Sequence, residues 1–242
     1  MMLMVTVADC ERVQANWFRI RATELGGAVW NDDGLMWIDG PDGMNVMFPR
    51  SLSLAAVRRG IDRARGLGRG VVGAWLSLDV DPTPLAVAGF ERGWSPAWMT
   101  ADLVRVPRTR DPRVRLEQDS LDWDGEYSAY RDLLALTRLR PPVAWYAAAH
   151  TLRSGRFAGH AWSFRDGDLA GIFDMAVWPR FRRRGMGTAL LATVCAAARR
   201  AGAKQAVLNA TAEGQLLYST CGFSQIGEGI TWWHHLDEPR RP

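Results

Sequence analysis

The chain has 242 residues, 48% of them hydrophobic and 23% charged, with a formal net charge of +4. Such a composition excludes a disordered or fibrous chain and suits one large globular domain or two small ones. Only one basic residue, Lys204, is a lysine, and the arginines run along the whole chain rather than gathering in one region, which argues against a nucleic-acid partner.

In chain order, the N-terminus MMLMVTVADCERV has no basic leader and only a short apolar stretch before Asp9, so no secretion signal is expected. Residues 107–116, PRTRDPRVRL, read as a charged linker and divide the chain into 1–108 and 109–242. Arg113–Glu117 alternates like a short strand. Gly125–Leu136 has helical spacing, and Val143–Leu152 reads as a second short helix after the break at Pro141-Pro142. Phe157–Phe164 and Leu169–Val177 flank the turn RDGD, a hairpin signal. Pro179 ends that hairpin. A helix from Gly187 to Arg200 carries Leu190, Leu191, Val194, Cys195 and Ala198 on one face. Then follow a strand at Gln205–Asn209, a short helix at Gly214–Thr220, strands at Phe223–Ile226 and Ile230–Leu236, and a frayed tail. Strands alternating with helices after a hairpin predict an α/β (α+β) fold, a mixed twisted sheet flanked by helices. The longest apolar run, Gly187 to Ala198, falls short of the roughly 20 residues of a membrane span. Cys10, Cys195 and Cys221 form no CxxC pair, so neither a disulfide nor a metal site is expected. A cytoplasmic location is the default.

The first half repeats the plan of the second. AWLSLDVDPTPLAVAGFERGWSPAWMTADL (74–103) aligns without a gap to VLNATAEGQLLYSTCGFSQIGEGITWWHHL (207–236), matching Gly89-Phe90 to Gly222-Phe223. Phe48-Pro49-Arg50 resembles Trp178-Pro179-Arg180 upstream. A divergent internal duplication is the expectation.

The stretch FRRRGMGTALL (181–191) sets three arginines and two glycines immediately before a helix. A helix N-terminus leaves backbone N–H groups unpaired and carries partial positive charge, which favours an anion. Gly185 and Gly187 let the backbone approach closely, and Arg182, Arg183 and Arg184 add charge-assisted bonds suited to phosphate. The stretch itself contains neither GxxxxGK[ST] nor GxGxxG, so neither nucleotide-binding fingerprint applies to it.

The order strand, Arg182-x-x-Gly185-x-Gly187, helix, strand, Leu217-Tyr218-x-x-x-Gly222-Phe223 resembles the GNAT superfamily of N-acetyltransferases over about residues 113–236. The resemblance implies a GNAT-like core in the C-terminal half and a divergent, degenerate GNAT-like N-terminal half. It implies acetyl-coenzyme A as cofactor and direct acetyl transfer to a primary amine of a small molecule or peptide. Met175, Ala176 and Val177 would offer backbone groups to pantetheine, and the amides of Arg183, Arg184, Gly185, Met186, Gly187 and Thr188 would hold pyrophosphate. Tyr218 would protonate the leaving thiolate. Asp174 would handle the amine proton, although other members place a glutamate where this chain has Gly171. Asn209 would contact pantetheine in place of an asparagine others carry at the position of Thr211. At the aligned position after Phe48-Pro49-Arg50 the N-terminal copy has no Arg-x-x-Gly-x-Gly, and Leu85 stands at the position of Tyr218, so it should bind no coenzyme A and should wall the acceptor side. Homodimer formation is left open. The alternative to an enzyme is a non-catalytic module that senses coenzyme A esters.

Overall fold

A computed structural model describes residues 4–41, 43–118 and 132–236. The helix expected at Gly125–Leu136 lies mostly outside the described residues; inside them, Leu134–Arg138 forms a 3₁₀ turn. The chain divides into two compact units: Met1–Trp17 with Ala97–Gly227, and Phe18–Pro96 with Glu228–Pro242. Among the described residues no helix is long and apolar enough to cross a membrane.

The larger unit is built on a seven-stranded sheet. Its strands are β6 (Ala97–Asp102), β7 (Val114–Glu117), β8 (Ala144–His150), β9 (Phe157–Asp166), β10 (Leu169–Val177), β11 (Gln205–Ala210) and β12 (Ser224–Glu228). Their order is β12-β6-β11-β10-β9-β8-β7. The pair β10–β11 is parallel, and the helix α4 (Met186–Arg200) makes the crossover between them. The predicted apolar face of α4 is the buried one: Leu190, Leu191, Val194, Cys195 and Ala198 all lie within the core. Small residues on the facing strands, including Ala147, Ala149, Ala161 and Ala170, let that helix sit close to the sheet.

Where a short helix was expected at Val143–Leu152, Ala144–His150 form the strand β8. Alanines 147 to 149 favour a helix intrinsically, but the segment pairs with β7 on one edge and β9 on the other. Ladder bonds and burial on both edges outweigh a preference worth tenths of a kcal/mol per residue.

The opposite face of this sheet is aromatic. Helix α1 (Val7–Glu24) brings Trp17 against Trp162, Phe164 and Phe173, stacking on Phe173 with ring centroids 5.1 Å apart. Polar contacts fix the same part of the helix. Arg12 and Asn16 bond Asp166, and Gln14 Oε1 accepts from Asn209 Nδ2 at 2.8 Å.

The smaller unit has a six-stranded sheet. Its strands are β1 (Ala28–Asp32), β2 (Leu35–Gly40), β3 (Gly43–Met47), β4 (Val71–Leu76), β5 (Glu91–Arg92) and β13 (Ile230–His235), in the order β1-β2-β3-β4-β13-β5. Here β3 and β4 are the parallel pair, joined through α2 (Leu54–Gly66), and α3 (Thr83–Val87) follows β4.

The units therefore do not follow the 1–108 and 109–242 division read from the linker. Each takes a strand from the other half of the sequence. β6 pairs antiparallel with β11, from Ala97↔Ala210 to Asp102↔Gln205. β13 pairs antiparallel with β4, from Ile230↔Leu76 to His235↔Val71. A linker composition marks an exposed segment; it carries no information about which strand pairs with which.

Candidate functional site

The parallel pair β10–β11 holds together only from Leu169↔Gln205 to Ile172↔Leu208. Past that point β10 continues to Val177 and β11 to Ala210 without pairing to each other. A register shift between Phe173 and Ala176, with Asp174 at φ 47, marks a bulge that turns β10 away. One edge of Ala176 and Val177 still bonds β9, and the gap opens beside the other.

The loop after β10 is anchored at several points. Phe181 is buried in the core at the end of the turn Pro179–Phe181. Arg182 donates from Nε to the Val177 carbonyl at 3.0 Å and from Nη1 to Glu213 Oε1 at 2.8 Å. Arg113 Nη2 donates to the Arg184 carbonyl at 2.8 Å. Between these anchors Arg183 takes φ 62 and Gly185 takes φ 76. Left-handed residues followed by a helix turn successive N–H groups inward, as anion-binding nests do.

Gly185 is the N-cap of α4 and supplies no side-chain cap. The first bond of the helical ladder is Ala189 N–H to the Gly185 carbonyl at 3.0 Å. The amides of Met186, Gly187 and Thr188 precede it and have no intrahelical partner. Space at Gly187 is tight: a Cβ there would lie 3.0 Å from Leu217 Cδ2, which would have to shift to admit it. Leu217 belongs to α5 (Ala212–Thr220), the short helix after β11, whose N-cap Thr211 accepts from Gly214 N–H at 3.2 Å.

Strand end, loop, α4 and α5 enclose a cavity of about 700 Å³. Met175, Ala176, Val177, Arg182, Arg183, Gly185, Met186, Gly187, Thr188 and Tyr218 of the expected residues line it. Arg184 does not; its carbonyl is taken by Arg113. Asp174 stands at the bulge, exposed to solvent and outside the lining. Asn209 also lies outside it, with its amide given to Gln14. Thr211, Glu213, Gly214 and Leu217 line the cavity without having been singled out for the site by the sequence. Glu213 had one signal, an acidic residue in the first turn of a helix.

Tyr218 is buried against Phe223, with ring centroids 5.7 Å apart. Gly214 makes room for the ring, since a Cβ there would come within 3.2 Å of Tyr218 Cε2. Burial, with smaller contributions from Cys195 and Cys221, pushes the phenol well above its ordinary value. Tyr218 is therefore neutral and protonated at neutral pH.

The glutamate position occupied here by Gly171 has no space for a side chain. A Cβ there would collide with the Phe173 ring and come within 2.7 Å of Val13 Cγ1. Among the described residues, no group of three His, Cys, Asp or Glu side chains could hold a metal ion.

Residues 110–223 match the model of the acetyltransferase (GNAT) family. No curated protein matches the chain. Among solved structures, a GCN5-related N-acetyltransferase from Kribbella flavida superposes with a TM-score of 0.61 at 12% identity, over 96% of this chain and 96% of that one. A tandem GNAT protein from the clavulanic acid biosynthesis pathway gives 0.56 at 19% identity, over 83% and 78%. A GCN5-related N-acetyltransferase from Sphaerobacter thermophilus gives 0.55 at 15% identity, over 94% and 93%. The chain has the fold of the GNAT N-acetyltransferases, with the arginine–glycine loop at the N-terminus of its crossover helix.

Proposed function

We propose that this protein is an acetyl-coenzyme A-dependent N-acetyltransferase that passes the acetyl group directly to a primary amine. The observation that carries the reading is the cavity between the parted strands β10 and β11. It joins the backbone of Met175–Val177, the uncapped start of α4 and Tyr218 in one space. The residues suit the cofactor: a cradle that a Cβ at Gly187 would fill, unpartnered helix amides, and the guanidinium of Arg183 beside them. Bound there, acetyl-coenzyme A would supply an activated thioester. The amides of Arg183–Thr188 would hold its pyrophosphate, and the unpaired edge of Met175–Val177 would take its pantetheine arm. Tyr218 would give its phenolic proton to the departing sulfur, a role open to it because it stays protonated. Asp174, on the solvent side of the bulge, would receive the amine proton directly or through water. Most of the rate gain would come from holding both substrates together.

The smaller unit is read as a degenerate second copy that binds no coenzyme A. Each sheet contains a parallel pair bridged by a helix, β3–α2–β4 and β10–α4–β11. Gly89 and Gly222, aligned in sequence, take φ 87 and 88. The Phe90 and Phe223 amides that follow them donate to Leu85 and Tyr218, which are themselves aligned. At the start of α2, however, Ser53 caps the helix by accepting from Ala56 N–H, so one of the amides an anion would use there is already taken.

A second reading, a coenzyme A-ester sensor without turnover, is favoured by one observation: among the described residues no carboxylate lines the cavity except Glu213, which bonds Arg182. One experiment separates the two. Acetyl-coenzyme A at about 100 times its dissociation constant should add about 2.7 kcal/mol and raise the melting midpoint by roughly 5–10 °C. The shift should vanish in Gly187→Glu and in Arg183→Glu, the latter on an exposed side chain that leaves the fold intact. A panel of primary amines is then screened for coenzyme A release. No shift in wild type overturns both readings; a shift with no release from any amine favours the sensor.

A further inference from the structure

We infer that the larger unit carries a second ligand site, for an anion with an apolar body, beside the C-terminal half of α4. The segment from Leu103 to Val114, which joins β6 to β7, leaves a cavity of about 690 Å³ against that helix. This is within the range of small-molecule sites. It shares no lining residue with the cavity at the start of α4.

The floor is apolar: Leu103, Val106, Ala192 and Cys195 are all buried. The rim is cationic. Arg108 and Arg110 come from the segment, Arg199 and Arg200 from the last turn of the helix. Asp111 also lines the cavity, but Arg113 engages both of its oxygens, at 2.9 and 2.6 Å. Among the described residues, none of the four rim arginines has a carboxylate partner.

Arg199 and Arg200 complement the negative end of the helix dipole. That accounts for two of the four and leaves Arg108 and Arg110, which sit on a different segment. Gathering four like charges on one rim is unfavourable until an anion enters, and guanidinium groups match carboxylate, sulfonate and phosphate oxygens in pairs. The apolar floor selects among anions. Inorganic phosphate would leave it wet, whereas an aromatic or aliphatic body attached to the anionic group would cover it.

The test uses the full chain and 8-anilinonaphthalene-1-sulfonate, a probe with both features. Its fluorescence titration is expected to saturate at one site. The double variant R108E/R199E should weaken it at least tenfold, and Ala196→Trp, which fills the groove without changing charge, should weaken it as much. Arg183→Glu in the other cavity should leave it unchanged. R108E/R199E should keep the acetyl-coenzyme A thermal shift of wild type, so failure of this site and failure of the proposed function are read separately. Unchanged probe affinity in R108E/R199E overturns the site. So does loss of affinity in Arg183→Glu, or full retention in Ala196→Trp, which would mark mere electrostatic attraction.

Discussion

Gly187 and Tyr218 show how little freedom single residues of the site have. Even Gly187→Ala would press a methyl group toward Leu217 Cδ2, 3.0 Å from the new Cβ, and narrow the entrance between α4 and α5. The affinity for acetyl-coenzyme A should fall in Gly187→Ala by about tenfold, the equivalent of 1.4 kcal/mol, as read by calorimetric titration. Tyr218→Phe keeps the ring and its contact with Phe223 but removes the proton donor. Its kcat should drop by about 10²-fold or more while the melting midpoint and cofactor affinity stay near wild type. An unchanged kcat would remove Tyr218 from proton transfer. These residues were legible in the sequence because their settings are local: Gly187 at the start of a helix, Tyr218 in the run Leu217-Tyr218-x-x-x-Gly222-Phe223. Glu213 and Leu217 were not, because what matters about them is the neighbour that tertiary folding brings.

Elements impose constraints of another kind. On β7, Glu117 is buried and accepts from His150 Nε2 at 2.9 Å and from Arg115 Nε at 2.8 Å. The Glu117 hydrogen bond raises the pKa of His150, against burial and helped by the Gly155 carbonyl. Burial pushes the Glu117 carboxyl up, yet the bonds from His150 and Arg115 outweigh it and hold the group below its ordinary value. The raised His150 stabilises the fold below its unfolded pKa of about 6.5, and that contribution is lost as pH rises through the folded value. The lowered Glu117 stabilises above its unfolded pKa of about 4.3, and that contribution is lost as pH falls through the folded value. The two overlap between about pH 4.3 and 6.5. The difference in melting midpoint between wild type and Glu117→Gln should be largest in that window and shrink at pH 8; a flat difference would detach the pair from stability. The same edge of the sheet was the least legible part of the fold. Three alanines read as helix, and only pairing on both sides made β8 a strand. By contrast the β9–β10 hairpin and α4 carry their own turn and period, and they fold where the sequence places them.

At the scale of the molecule the traded strands decide what counts as a part. The fragment 109–242 contains the whole arginine–glycine site but lacks β6 and the portion of α1 that carries Trp17. Without β6, β11 and β12 lose the strand between them. Removing the Trp17 ring alone should cost about 3–5 kcal/mol. That fragment should therefore be insoluble or molten by far-UV and near-UV circular dichroism, whereas the full chain melts cooperatively. A cooperatively folded 109–242 would show that the exchange is dispensable. The aligned turns keep their glycines, Gly89 and Gly222, at φ 87 and 88; the exchange of strands was not legible, because the last strand of either half satisfies the same alternating pattern.

The position of β13 also sets a timetable. During synthesis the residues of β4 leave the ribosome early, but their antiparallel neighbour is made after every residue of the larger unit. Until then β4 presents a bare edge on one side, with Ala74 and Leu76 destined for the core. Nascent chains would spend that interval with an unpaired strand open to other chains. Slow translation over the last hundred residues would lengthen the exposure, and soluble yield should depend on elongation rate more than on the stability of the finished protein.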